Sequence, residues 1–375
     1  MSEAPSHLQP TTTRLLSTTS RAFCTKVQFA KGKIPPIQLK VRKTQITHPI
    51  VDEEYEYYAD EISNLYNPSL VKAPDSNTYW ISFRVDCDNL NSFATQTLTL
   101  IGRLDANLHP LEPLQLLRLP SYSTSDHYSM SAQDLRLFNW DGNIYGLAND
   151  TSSHRDFEFK SRKLHLYQIE MAQGTTPIAH FHSRMELPDF ERQGERPSKN
   201  WVPISGAHNH RNIFGYFIAP HHITIGITPP YKQRTIPHLV SSCPSNLSWD
   251  GGRFGKVRGG TPLIQASQET NELIAFFHGV QKATNSHPQA LYFLGAYLVS
   301  PDNFCVTRSS PEAIQYSQLY TSIHGGNANV RIAFPAGLTH FDTFYAVSMG
   351  INDAGAKILL MNKDKLLGSL RPKAS

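Results

Sequence analysis

Asp134 opens a strand-like run, and Arg136 follows two residues later. A strand turns alternate side chains to one face, so this acid and this base share a face. On an open surface they form an ordinary ion pair. At a cleft, a carboxylate whose burial and neighbours raise its pKa is a general acid. Arg258-Gly259-Gly260-Thr261-Pro262 reads as a flexible loop carrying a cation, whose glycines let the backbone approach an anion. His278-Gly279 closes the apolar run that follows, and Arg258 with His278 could hold an anion such as phosphate.

Lys199-Asn200-Trp201-Val202-Pro203 is a poor interior strand, because proline cannot donate to a ladder. It reads either as a loop anchored in the core by Trp201, or as a polar pair aimed at a ligand with Trp201 as a wall. Glu312, after Ser309-Ser310-Pro311, is either a solvated turn residue or a rim carboxylate for sugar hydroxyls, and Asn352-Asp353 supplies a further acid. His221 and His222 are adjacent, so a strand points them to opposite faces, away from a shared metal. No Walker loop, GxGxxG, nucleophile elbow or CxxC occurs.

These residues need a frame that brings them together, and their spacing suggests one. Asn67-Pro68-Ser69, Asp134-Leu135-Arg136, Asn200-Trp201, Gly259-Gly260 and Phe334-Pro335-Ala336-Gly337-Leu338 recur at intervals of 59 to 75 residues. The chain between them reads as strands and turns. Thr78–Val85 alternates polar and bulky residues, and Asp141-Gly142 marks a tight hairpin after Phe138. Further strands are expected over 213–219, 223–227, 273–277, 291–299, 341–348 and 356–361. Strands near 356–368 would pair with residues near 45–52 and close a ring. The expectation is an all-β fold, a five-bladed β-propeller with a central axial pocket, with a pair of β-sandwiches as the alternative.

The chain has 375 residues and a net charge of +4. Much of the basic excess lies in residues 1–45, read as a basic tail preceding a propeller domain over 46–370. Residues 4–51 contain no Asp or Glu, and 11–23 are rich in Arg, Ser and Thr, as in a mitochondrial transit peptide. A cytoplasmic location is expected, with mitochondrial targeting as the alternative. The near-neutral remainder argues against a nucleic-acid partner, and no apolar run of membrane-spanning length occurs. Cys24, Cys87, Cys243 and Cys305 are scattered and read as reduced, buried thiols. An oligomer is compatible with the chain.

Taken together, the segments from about Tyr66 to Leu366 resemble the five-bladed propeller glycosidases, most of all glycoside hydrolase family 130, the mannoside phosphorylases and related mannosyltransferases. Asn67-Pro68 with the strand ending in Arg84 is similar to the first motif of that family. Asp134-Leu135-Arg136 stands where the family has Asp-Pro-Arg. Lys199-Asn200 with Pro203, Gly259-Gly260-Thr261-Pro262 with His278-Gly279, and Ser348 to Asp353 are similar to its later motifs.

The resemblance implies an inverting enzyme on a mannoside or oligosaccharide, with Asp134 as general acid acting through a sugar hydroxyl and phosphate attacking the opposite face. It makes Lys199, Arg258 and His278 the phosphate contacts, with Arg136 a further candidate for the anion. Arg84, Arg136, Asn67, Asn200, Trp201, Glu312 and Asp353 become substrate contacts. It implies no cofactor, with phosphate or a sugar nucleotide as co-substrate. Leu135 in place of proline, and Met349 where an aromatic is common, leave phosphorolysis, glycosyl transfer and plain hydrolysis open. A propeller that binds glycans or proteins without turnover is the non-catalytic alternative.

Overall fold

Lys40, Arg42 and Lys43 belong to the basic run read as a tail, yet they lie on a strand, Lys40–Gln45, paired antiparallel with Val51–Tyr58. The second strand is as acidic as the first is basic. Arg42 lies directly opposite Glu56, and their side chains meet at 2.5 Å. Lys43 reaches Glu53 at 2.8 Å, and Lys40 reaches Asp60 at 2.5 Å. Opposite charges across a ladder support the pairing, so the folded region begins before residue 46. Ile37, already fully buried, forms a bridge with Leu114. The structure, a computed structural model, describes residues 36–74, 77–88, 95–120, 132–150, 163–170, 176–185, 200–205, 213–217, 221–226, 234–235, 238–244, 249, 252–283, 290–324 and 330–372.

Those residues are nearly all β. They form five sheets, antiparallel except for two short parallel pairings at Arg234–Thr235 and Val330–Arg331. The first sheet runs Leu65–Lys72, Tyr79–Asp88, Thr95–Leu104 and Gln115–Leu117. The second begins with Ala132–Trp140 and Asn143–Asp150, joined by Asp141 and Gly142 at φ of 49° and 71°, and continues through Lys163–Glu170 and Ile178–Met185. The third pairs Ile213–Phe217, His221–Gly226 and His238–Pro244. The fourth is centred on Leu273–Gln281 and Ala290–Val299, with Lys256–Gly259 on one side and Val306–Ser309 on the other.

The fifth sheet joins the two ends of the chain. Ala333–Phe341, Phe344–Ile351 and Gly355–Asn362 come from the C-terminal end, and Val51–Tyr58 and Lys40–Gln45 from the N-terminal end. Tyr55 lies opposite Ile358. The closing pair is therefore Val51–Tyr58 with Gly355–Asn362, a few residues along from the expected 45–52. Two expectations need correction here. The run 341–348 is broken by a turn, with Asp342 at φ 47°. Residues beyond 362 leave the sheet for a helix, Lys363–Ser369, because the Asn362 side chain caps it by accepting from the Lys365 amide at 3.1 Å.

Apolar clusters lie between successive sheets. Tyr57, Leu360 and Ala346 of the fifth sheet pack with Ile81, Phe83 and Leu100 of the first. Trp80 and Ile101 of the first pack with Leu137, Ile144 and Tyr167 of the second. Phe276 and Leu294 of the fourth pack with Val347 and Met349 of the fifth.

Strands of three sheets also meet through polar rivets. The Ser348 hydroxyl donates to the Pro68 carbonyl at 2.7 Å, and the Leu137 amide donates to Ser69 Oγ at 2.8 Å. Such buried hydroxyls stay only where they are satisfied.

The cysteine expectation is also overturned. Cys243, on the third sheet, and Cys305, after Ala290–Val299, form a disulfide with a Cα–Cα distance of 5.7 Å. Cys87 is disulfide-bonded as well, and no described cysteine is free. Scattered spacing is no guide, because the fold brings together residues 62 apart in sequence. No described helix is long and apolar enough to cross a membrane.

Candidate functional site

Asn67 and Asp134 occupy equivalent places, each near the start of the first strand of its sheet. Each also lies at a break in register, between Tyr66 and Ser69 and between Gln133 and Arg136. Both have positive φ, 47° and 55°, in the left-handed region that asparagine and aspartate tolerate better than most residues. A bulge of this kind re-aims a side chain. Here it turns the two side chains toward each other, and Asn67 Nδ2 donates to Asp134 Oδ1 at 2.7 Å. Gly350 makes the room: a Cβ there would lie 2.0 Å from Asn67 Oδ1.

Arg84 reaches the same oxygen from the neighbouring strand. It lies opposite Tyr66 in the ladder, with its guanidinium 5.2 Å from the centre of that ring. Its Nη1 donates to Asp134 Oδ1 at 2.9 Å, and its Nε and Nη2 both reach Asp86, at 2.8 and 3.0 Å. Burial pulls the guanidinium pKa down, but Tyr66, Asp134 and Asp86 outweigh it and hold the group well above its usual value.

On the fourth sheet Arg258 lies directly opposite His278. His278 is therefore in the body of a strand rather than at its end. Its ring stacks on Tyr292 at 5.3 Å and meets Phe334 at 5.0 Å. Tyr292 sits diagonally across the ladder, two residues from Leu294, which pairs with His278.

The glycines beside Arg258 are not a loose loop. Gly259 ends the strand Lys256–Gly259, and a Cβ on it would lie 2.3 Å from the Asn200 carbonyl oxygen. Close packing of two backbones accounts for the glycine. The segment 200–205 is tied alongside, with the Leu263 amide donating to the Pro203 carbonyl at 2.9 Å. In the fifth sheet Asn352 holds the turn that carries Asp353. Its Oδ1 accepts from the Ile332 amide at 2.8 Å, and its Nδ2 donates to the Tyr320 carbonyl at 2.7 Å.

These side chains meet in one cavity of about 200 Å³ lined by Tyr66, Asn67, Arg84, Asp134, Asn200, Arg258, His278, Tyr292, Ile332, Phe334 and Asp353. Seven of the residues singled out from the sequence are among them: Asn67, Arg84, Asp134, Asn200, Arg258, His278 and Asp353.

Three others lie elsewhere, and one falls outside the described residues. Arg136 is fully buried behind the cavity. Its Nε donates to the Gly260 carbonyl at 2.7 Å, its guanidinium lies 5.5 Å from the Phe334 ring centre, and Nη2 has no hydrogen-bond partner. Burial pulls its pKa down to about 10, with Asp134 opposing. The bulge at Asp134-Leu135 breaks the alternation that put Arg136 on the face of Asp134. Trp201 is buried and does not line the cavity. Glu312 pairs with exposed Arg253 at 3.1 Å. Lys199 lies outside the described residues.

Tyr66, Tyr292, Ile332 and Phe334 were not singled out. Their signals are positional: Tyr66 precedes Asn67, Phe334 opens the fifth recurring segment, and Tyr292 is the diagonal neighbour of His278. The cavity thus sets two carboxylates among cationic and aromatic groups. Such a mixture of charged and aromatic groups can hold a polar ligand. Among the described residues, no group of His, Cys, Asp and Glu is placed to hold a metal ion.

This backbone is shared with glycoside hydrolases. A glycosyl hydrolase from Bacteroides ovatus superposes with a TM-score of 0.57 at 11% identity, covering 92% of this chain and 98% of that one. A second structure belongs to work on the GH130 family of mannoside phosphorylases, containing glycoside hydrolases that target β-1,2 mannosidic linkages in Candida mannan. It gives a TM-score of 0.55 at 11% identity, covering 91% of this chain and 96% of that one. The fold is therefore the one found in glycoside hydrolases and the GH130 mannoside phosphorylases. No family model and no curated protein matches the chain.

Proposed function

We propose that the five sheets are the blades of a five-bladed propeller beginning at Lys40, and that the chain is a carbohydrate-active enzyme whose axial cavity takes a mannoside. In this reading Asp134 is the general acid. It passes its proton, through a sugar hydroxyl, to the glycosidic oxygen as the C–O bond breaks, and an oxygen of phosphate forms the new bond to the anomeric carbon from the opposite face. Arg258 and His278 hold the phosphate. Asn67, Arg84, Asn200 and Asp353 orient the acid and the sugar, and Tyr66, Tyr292 and Phe334 supply apolar surface. Phosphate is the co-substrate of this reading, with a sugar nucleotide as the alternative donor.

The observation that carries it is the convergence of Asn67, Asp134, Arg258, His278 and Asp353, from four sheets, on one cavity. The test is release of mannose 1-phosphate from mannobioses of each linkage with inorganic phosphate. The wild type releases it, and Asp134→Asn loses on the order of 10²–10⁴ in rate, the usual share of a positioned acid. Equal rates remove Asp134 from the mechanism.

Hydrolysis by water is the second reading, and one observation favours it. Among the described residues, Arg258 and His278 line the cavity while Arg136 turns toward Gly260, and phosphate needs several donors. Mannose release that depends on Asp134 but not on phosphate selects hydrolysis.

A further inference from the structure

Asp86 does not line the cavity, but its carboxylate holds Arg84, which reaches the acid. Oδ1 accepts from Arg84 Nε at 2.8 Å and from Thr97 Oγ1 at 3.0 Å. Oδ2 accepts from Arg84 Nη2 at 3.0 Å and from the Tyr66 hydroxyl. Asn64 Nδ2 donates to the Asp86 backbone carbonyl at 2.9 Å and fixes the strand there. Four donors match the four lone-pair sites of one carboxylate. Arg84-Val85-Asp86 places donor and acceptor on the same face of one strand, and the bidentate pair fixes the guanidinium plane. One free edge remains, and its Nη1 points at Asp134 Oδ1, the oxygen that Asn67 also holds.

We propose that Asp86 is the positioning residue of the acid. It locks Arg84 so that the guanidinium and the Asn67 amide both fall on Oδ1 of Asp134 and fix the plane of the acid. It also balances the charge of Arg84, so that Asp134 faces a neutralised pair rather than a bare guanidinium. The other charged or titratable groups around Asp134 are Arg136 behind it, Tyr66 beside it, and Arg258, His278 and Asp353 around the cavity. Of these, Tyr66 touches Asp86 directly, through its hydroxyl. The proposal rests on the reading of Asp134 as an acid.

The test is the pH profile of mannobiose phosphorolysis for the wild type, Asp86→Asn, Arg84→Met and the double variant. Asp86→Asn keeps the size of the side chain but loses a full charge. It is expected to lower kcat about a hundredfold with KM within about threefold, as for a misaligned acid rather than a lost sugar contact. The alkaline limb of kcat/KM moves to lower pH by about one unit, because an unbalanced cation now faces the acid. In the Arg84→Met background the same change has little further effect, since Asp86 acts through Arg84.

A wild-type rate in Asp86→Asn, a rate loss with an unmoved limb in that variant, or full additivity with Arg84→Met each overturns the positioning role alone. Absence of turnover in the wild type, with or without phosphate, overturns the catalytic reading and this one together. If Asp86→Asn does not fold, Thr97→Val removes one of the four donors but keeps the charge of Asp86, so a smaller loss in kcat with the alkaline limb in place is expected. Unchanged kinetics in that variant overturns the proposal.

Discussion

Asn67 and Asp134 lie 67 residues apart in sequence, and Asn67 Nδ2 donates to Asp134 Oδ1 at 2.7 Å. Each holds a left-handed φ at a strand bulge. The two demands can be separated by mutation. Glycine accepts positive φ at no steric cost but offers no donor. Asn67→Gly should therefore keep the wild-type melting temperature while mannoside turnover falls about tenfold to a hundredfold through a loosened acid. Asn67→Ala should lose turnover similarly and also cost about 1 kcal/mol of stability for an alanine in the left-handed region. Equal stability of the two variants would show that the bulge is not strained.

The room for that contact comes from another sheet. Gly350→Ala would place a Cβ 2.0 Å from Asn67 Oδ1 and 2.9 Å from the Asn67 amide nitrogen. A side-chain amide can rotate away, but the backbone atom cannot, so Phe344–Ile351 and Leu65–Lys72 must part. The expected cost is about 1–3 kcal/mol, as for other overpacked sites, with turnover lowered along with it. Denaturant unfolding and kinetics on the same sample check both. Gly142→Ala is the control for added bulk, since a Cβ there meets nothing within 4 Å; its φ of 71° adds backbone strain without touching the site.

The cavity was legible from the sequence where a residue's type and its place in the recurring segments agreed. Asp134, Arg258, His278 and Asp353 are polar groups at such places, and they converge. What was lost follows from local geometry. Alternation placed Arg136 beside Asp134, but the bulge at Leu135 turns Arg136 behind the cavity toward Gly260. Tyr66, Tyr292 and Phe334 look like core aromatics until the neighbouring sheets are in place. Arg42 and Lys43 read as tail because their partners, Glu56 and Glu53, lie on the next strand. The Cys243–Cys305 pair crosses between sheets, and no spacing rule reveals it.

A buried ion pair fixes the closing sheet. Lys357 is fully buried, 2.9 Å from Glu54, and also donates to the Gln318 carbonyl at 2.8 Å. The Tyr316 hydroxyl completes the group by donating to Glu54 at 2.6 Å. Removing one ion of such a pair leaves the other desolvated and alone. Lys357→Met should therefore cost about 3–5 kcal/mol. Lys357→Met with Glu54→Gln should recover part of that loss, as a double-mutant cycle by denaturant unfolding would show. A Lys357→Met protein as stable as the wild type would mean that water reaches Glu54.

Stability should fall on the acid side of neutrality. Burial lowers the pKa values of His48, His182 and His340 below the ordinary 6.5, with Lys363 adding to the effect at His340. Between the folded values and 6.5, the unfolded chain binds more protons, so stability is full above 6.5 and is lost as pH falls through that window. Glu272 adds a second stage. Burial raises its pKa, but hydrogen bonds from Thr307 and Arg308 outweigh this and hold it below the ordinary 4.5. The stability it contributes is present above 4.5 and lost below. Melting temperatures should be flat above pH 7 and decline below it, with a shallower decline in His340→Gln. An equal slope in that variant would remove His340 from the effect.

The disulfide makes its own prediction about where the chain works. Cys243–Cys305 closes a loop 62 residues long and ties the third sheet to the end of Ala290–Val299. A cross-link of that span stabilises mainly by restricting the unfolded chain, by about 2–4 kcal/mol. Cys243→Ser with Cys305→Ser should lose that amount, and a reducing agent should lower the wild-type melting temperature but not that of this variant. Paired cysteines persist in oxidising compartments, so the cytoplasmic expectation becomes a question for the native protein. Alkylation of the freshly lysed protein followed by mass spectrometry decides it. Modified Cys243 and Cys305 would return the chain to a reducing compartment. Their protection would place its folding in an oxidising one.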